Sequence, residues 1–251
     1  MFKQGSPKHD RRLIRLIRQL LSHLYTTLTS ALMACALALP LQANEAAPTI
    51  RLTNGHWPPY MENTPPHYGV ISQIVTLAFA KKDIPVSYGF FPWSRARLLA
   101  EKGRWDGSVA WTCRKKLLKH FHFSDPIVAH NYALFHSTIS ADVTASDESN
   151  FRKLAAGRID LFPMEPAVGM GMLKELGLSG KITFHTAPLQ SDYLYLILSK
   201  QVPESERYLE KFNEGLSELR ASSRLEELIT TSLPDLPARY LVVEDEVQCV
   251  E

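Results

Sequence analysis

The chain has 251 residues, 28 basic and 26 acidic, and 45 % of them are hydrophobic. Six of the basic residues and one acidic residue lie in positions 1–43, so the remaining 208 residues carry 22 basic and 25 acidic groups, net −3. The basic excess belongs to the leader. Nucleic acid and anionic membrane are therefore not implied partners, while the remaining length suffices for one large domain or two small lobes with a real core.

The leader holds Lys3, Lys8, Arg11, Arg12, Arg15 and Arg18, then the apolar run Ala31 to Leu39, Pro40 and Leu41-Gln42-Ala43. This is the plan of a secretory signal peptide cleaved after Ala43, which places the protein in the periplasm. The run falls short of the about 20 residues that span a bilayer, so removal is expected rather than retention as an anchor. Leu32-Met33-Ala34-Cys35 loosely matches a lipobox, and lipidation at Cys35 is the alternative. Two cysteines remain, Cys113 and Cys249. In an oxidising compartment they pair or stand as two thiols, and the sequence leaves both open.

Residues 49–53 alternate as a strand, and Asn54 to Tyr60, with two prolines, reads as a rigid loop. Residues 69–81 have a helical apolar period. A strand over 85–91, a helix over 93–102 and a strand over 106–111 follow. This alternation predicts an α/β lobe with a mainly parallel sheet. Phe121 to Phe135 reads as an extended crossing into a second lobe, and 192–200 as a long apolar return strand. Helices over 204–221 and 224–231 close the chain. The expected division is 44–130 with 196–251 as the first lobe and 131–195 as the second.

The run Asn150 to Glu165 (NFRKLAAGRIDLFPME) reads as a helix, a Gly-Arg turn, a strand ended by Pro163, and a carboxylate beyond the strand end. Ligands of open α/β sheets bind beyond the carboxyl ends of strands, so Glu165 either meets a cationic group or stands as a solvated loop glutamate. Trp57 with Tyr60, Trp93, and Trp111 sit at strand ends of the first lobe, where they form either aromatic walls of a cleft or core packing. Arg95 suits a ligand carboxylate or a surface ion pair. Thr112 offers a hydroxyl to a ligand or caps a helix over 114–120. The chain has no phosphate loop, nucleophile elbow or zinc-type spacing, and its histidines are scattered. No cofactor, metal or catalytic group is expected.

In order and spacing, NGHWPPY, Gly69 with its helix, FPWSRA, GRWDGSVAW, FSDPI, DESNFRKLAAGRIDLFPME and FNEGLSEL resemble family 3 of the bacterial extracellular solute-binding proteins. The resemblance implies the two-lobe type II periplasmic binding protein fold. It also implies a polar amino acid or related amine held between the lobes of a monomer and delivered to an inner-membrane ABC importer permease. Trp57 and Tyr60 would be the aromatic wall, Trp111 and Thr112 strand-end contacts, and Glu165 the acid for the ligand amine. The sequence departs from that pattern twice. Leu117 stands where the carboxylate-clamping arginine is usual, with Arg114 one turn earlier. Between Phe135 and Glu148 about one βαβ unit, some 30 or more residues, is missing. The expectation is a reduced second lobe with Ile159, Leu161 and Leu196 less covered, and a weakened anion clamp. The alternatives are a cyclohexadienyl-dehydratase-like enzyme on the same scaffold and a degenerate copy that binds nothing.

Overall fold

The computed structural model describes residues 48–136, 146–236 and 249. The signal-peptide and Cys35 readings lie outside the described residues, as do residues 137–145. From Ala46 onward the chain forms one packed unit. Among the described residues it is built on an eight-stranded sheet in the order β2 (Val86–Phe90), β1 (Ile50–Asn54), β3 (Gly107–Trp111), β8 (Gln190–Ser199), β5 (Val128–His136), β6 (Leu161–Met164), with β4 (Phe121–Phe123) against β8 and β7 (Thr183–Phe184) against β5.

The first lobe follows the anticipated alternation. Strand β1 (Ile50–Asn54) leads through the proline loop to helix α1 (Val70–Ala80). Gly69 enters that helix at φ 86°, where a Cβ would overlap the backbone of Tyr60 and Met61. Strand β2 (Val86–Phe90), helix α2 (Trp93–Glu101) and strand β3 (Gly107–Trp111) follow. Helix α1 buries Ile71, Ile74, Val75, Ala78 and Phe79 on one face, matching its apolar period. After β3 the chain makes only a 3-10 turn, Lys115–Leu117, not the helix expected over 114–120. Strand β4 (Phe121–Phe123) then pairs with the return strand.

Two long strands join the lobes. Strand β5 (Val128–His136) and strand β8 (Gln190–Ser199) run antiparallel, Val128 opposite Leu194 and Tyr132 opposite Gln190. The carboxyl half of β8 pairs with β3, and the far end of β5 pairs with strand β6 (Leu161–Met164) and strand β7 (Thr183–Phe184). Only β2-β1-β3 is parallel. The sheet is therefore mixed, because the two crossing strands run in opposite directions through its centre.

The second lobe is small: helix α3 (Asp147–Ala155), β6, helix α4 (Pro166–Glu175) and β7 lie against the end of β5. Helix α3 has strong local signals. Ser146 accepts the Ser149 N–H at 3.2 Å, acidic residues fill the first turn and basic ones the last. Phe135, Phe151, Phe162 and Phe184 form the lobe's core, with ring centroids 5.2–5.5 Å apart along the chain of contacts. Of the three apolar residues expected to be less covered, Leu161 is 52 % exposed, but Ile159 and Leu196 are buried. Leu196 sits mid-strand in β8 beneath both lobes, and Ile159 joins the phenylalanine core. The phenylalanines thus cover more of a reduced lobe than its strand count suggests.

Helix α5 (Ser205–Ala221) and helix α6 (Arg224–Ser232) return to the first lobe. Phe212 and Tyr208 of α5 pack on Phe79 at 5.2 and 6.5 Å. Cys113 and Cys249 form a disulfide with their α-carbons 4.7 Å apart, which ties the tail to the segment just after β3.

Candidate functional site

The carboxyl ends of β1, β2 and β3 open on one cleft, each strand followed by a tryptophan. Trp57 is fixed by a bridge to Met61, with reciprocal N–H···O bonds of 2.8 and 2.9 Å across the loop after β1. Trp93 opens α2 and lies against Gly55 so closely that any Cβ there would enter its ring. Trp111 ends β3 beyond an irregularity: the register with β8 shifts between Ser108 and Trp111, and Ala110 has φ 62°. Left-handed backbone at a non-glycine costs about 1–2 kcal/mol, and bulges of this kind re-aim side chains. Its indole N–H donates to Ser108 Oγ at 2.7 Å.

The three indoles meet edge to face, Trp57 and Trp93 at 6.4 Å and 76°, Trp93 and Trp111 at 5.6 Å and 85°. With Ala110, Thr112, His130, Tyr132 and Leu194 they line a cleft of about 290 Å³, near the lower end of the roughly 300–1,000 Å³ of small-molecule sites. Its polar side chains are few: the Thr112 hydroxyl, the Tyr132 phenol and the His130 imidazole. His130 stands edge-on to Trp57, 5.3 Å away at 90°, and 5.0 Å from Tyr132. Both its ring nitrogens are buried with no hydrogen-bond partner among the described residues. Burial holds its pKa below 6.5, partly opposed by Asp192 opposite on β8. Asp192 in turn accepts the Tyr193 N–H at 2.8 Å and lies 3.6 Å from the Arg114 guanidinium.

The remaining sequence candidates lie apart from this cleft. Arg95 is exposed, its guanidinium 5.6 Å from the Phe91 ring. Leu117 is buried in a small core with Ala100, Phe121 and Ile197. Tyr60 stacks at 4.7 Å on Trp57 but points its hydroxyl away to Glu165. Glu165 is 5 % exposed and fully engaged: Tyr60 Oη donates to Oε1 at 2.6 Å and the Val168 N–H donates to Oε2 at 2.8 Å. It is the N-cap of α4, with Pro166 at the first helical position. Burial pushes its carboxyl up to about 7, against the hydrogen bonds from Tyr60, Val168 and Ala167. The same burial, with Glu165 adjacent, raises the Tyr60 phenol well above 10.0. Glu165 therefore joins the lobes through Tyr60 and does not line the cleft.

His130, Tyr132 and Leu194 complete the lining, with Asp192 behind His130, and sequence reasoning did not select them. His130 and Tyr132 lie two apart on an expected crossing strand and so share a face. That was the available signal. Their position opposite Asp192 depends on the pairing of β5 with β8.

No family model matches the chain, and no curated protein matches its sequence. Solved structures match it in fold. A histidine kinase sensor domain with similarity to periplasmic binding proteins is 18 % identical, with TM-score 0.59 over 75 % of this chain and 97 % of that one. The substrate-binding protein of an amino acid ABC transporter is 15 % identical, with TM-score 0.56 over 74 % and 99 %. The GluR0 ligand-binding core of Nostoc punctiforme, solved with L-glutamate, is 13 % identical, with TM-score 0.53 over 72 % and 98 %. At these identities the likeness is one of fold: the chain has the type II periplasmic binding protein fold, with a reduced second lobe.

Proposed function

We propose that this protein is a periplasmic receptor for a small polar solute, an amino acid or related amine, which it passes to an inner-membrane ABC importer. The observation that carries the reading is the convergence of Trp57, Trp93 and Trp111 from three successive strand ends on one cleft of about 290 Å³. The bulge at Ala110 supports it, since backbone strain is kept where surrounding structure and function require it. The basic leader and net-negative remainder support export and a soluble working form. Among the described residues no helix is long and apolar enough to cross a membrane.

The dehydratase alternative needs an acid against its substrate. Glu165, the acid the sequence offered for that role, has both oxygens engaged by Tyr60 and Val168, which favours the receptor reading. A thermal-shift screen of amino acids, amines and polyamines tests it. Stabilisation without turnover of prephenate or arogenate is the expected result. Turnover of either, or no stabilisation by any small solute, refutes the proposal.

A further inference from the structure

We infer that the solute held by this cleft is a compact organic cation with no requirement for a carboxylate, an alkylamine or quaternary ammonium rather than an α-amino acid. The inference rests on the receptor reading above and adds the ligand's charge pattern to it.

The first argument is what the walls present. Three indoles and the Tyr132 ring contribute to the lining, and the negative faces of such rings attract ammonium groups. The indole N–H of Trp111 is already bound to Ser108 Oγ, so that ring offers its π surface without a donor for an anion. The second argument is where the positive charges are. Among the described residues no lysine or arginine lines the cleft. Arg95 lies over Phe91, and Arg114 is paired with Asp192. A carboxylate entering here would be desolvated without a counter-charge, which is costly.

The third argument is what stands at the junction of β5 and β8. Asp192 lies directly across from His130 in the strand register. Its carboxylate is paired with the Arg114 guanidinium at 3.6 Å, so this junction presents a neutralised pair and not a free positive charge that would draw an anion. His130 is buried and uncharged at neutral pH, so it adds no positive charge to repel a cation. Both its nitrogens are buried with no hydrogen-bond partner among the described residues; a neutral imidazole keeps one acceptor nitrogen, which a ligand seated against the ring would have to uncover. Aromatic faces, a neutralised ion pair and an uncharged imidazole together suit an ammonium better than a carboxylate.

The test is isothermal titration calorimetry of the purified full-length protein with choline and putrescine. The controls are their uncharged isosteres, 3,3-dimethylbutan-1-ol and butane-1,4-diol, with glycine and glutamate alongside. At least one cation is expected to bind ten times or more tighter than its isostere. Replacing tryptophan biosynthetically by 5-fluorotryptophan and then by a difluorinated analogue, which preserves shape, should weaken it stepwise. Equal binding of cation and isostere, or affinity indifferent to fluorination, overturns the inference. If the α-amino acids bind and the carboxylate-free cations do not, the receptor reading stands and this inference falls. If none of the compounds binds, this inference falls, and the thermal-shift screen above decides the receptor reading.

Discussion

Replacing Glu165 by glutamine should remove most of the protein's loss of stability on going from pH 4.5 to pH 8. Burial raises this carboxyl from 4.5 to about 7. Below pH 4.5 it is protonated in both the folded and the unfolded chain. Above that, the unfolded chain releases its proton first, so the folded state is the more protonated one and stability falls as pH rises, until the folded carboxyl has also ionised past pH 7. A rise from 4.5 to about 7 corresponds to roughly 3 kcal/mol, or roughly 6–12 °C in Tm for a domain of this size. Glutamine mimics the neutral acid: its carbonyl can accept the Val168 N–H while its amide donates to Tyr60 Oη. His130 acts in the opposite sense, its lowered pKa making the folded state lose stability as pH falls below 6.5, but that contribution is common to both proteins. Urea unfolding at a series of pH values measures the difference. Parallel curves for wild type and Glu165→Gln would refute a Glu165 carboxyl raised by burial to about 7.

Reducing the Cys113–Cys249 bond, or replacing Cys249 by serine, should lower stability. The bond closes a loop of 136 residues, for which the chain-entropy model gives up to about 5 kcal/mol; an unchanged urea midpoint under reducing conditions would contradict it. Phe135→Ala opens a void among Phe151, Phe162 and Phe184 and should cost about 3–5 kcal/mol, read as a lower urea midpoint. Tyr60→Phe removes the hydrogen bond to Glu165 and should destabilise by about 1.5–3 kcal/mol at pH 8, where the carboxylate is charged, and less at pH 5.

The first lobe was legible because its signals are local. The apolar period of α1 and the alternation in β1 each act within a dozen residues, and the structure follows them. The crossing strands were visible as apolar runs, but their antiparallel pairing joins residues some 60 apart in sequence. The mixed sheet and the His130–Asp192 juxtaposition were therefore hidden. Trp57, Trp93, Trp111 and Thr112 emerged from one rule about strand ends, and they share the cleft. Arg95 was selected instead for the fit of a guanidinium to a carboxylate, and it is exposed, 5.6 Å from the Phe91 ring. Glu165 was singled out for its position beyond a strand end. That same position made it a helix cap, and the N–H groups of α4 with the Tyr60 hydroxyl claimed both its oxygens. A sequence shows a carboxylate's place but not which neighbours satisfy it.

The central claim is that the tryptophan-lined cleft is the solute site, and a thermal-shift comparison of wild type with Trp111→Leu tests it most directly. A solute at one hundred times its Kd adds about 2.7 kcal/mol to the folded state, roughly 5–10 °C here. The account predicts that at least one small solute gives that rise in the wild type and little or none in the variant. An equal rise in both proteins would place the solute elsewhere and contradict the account.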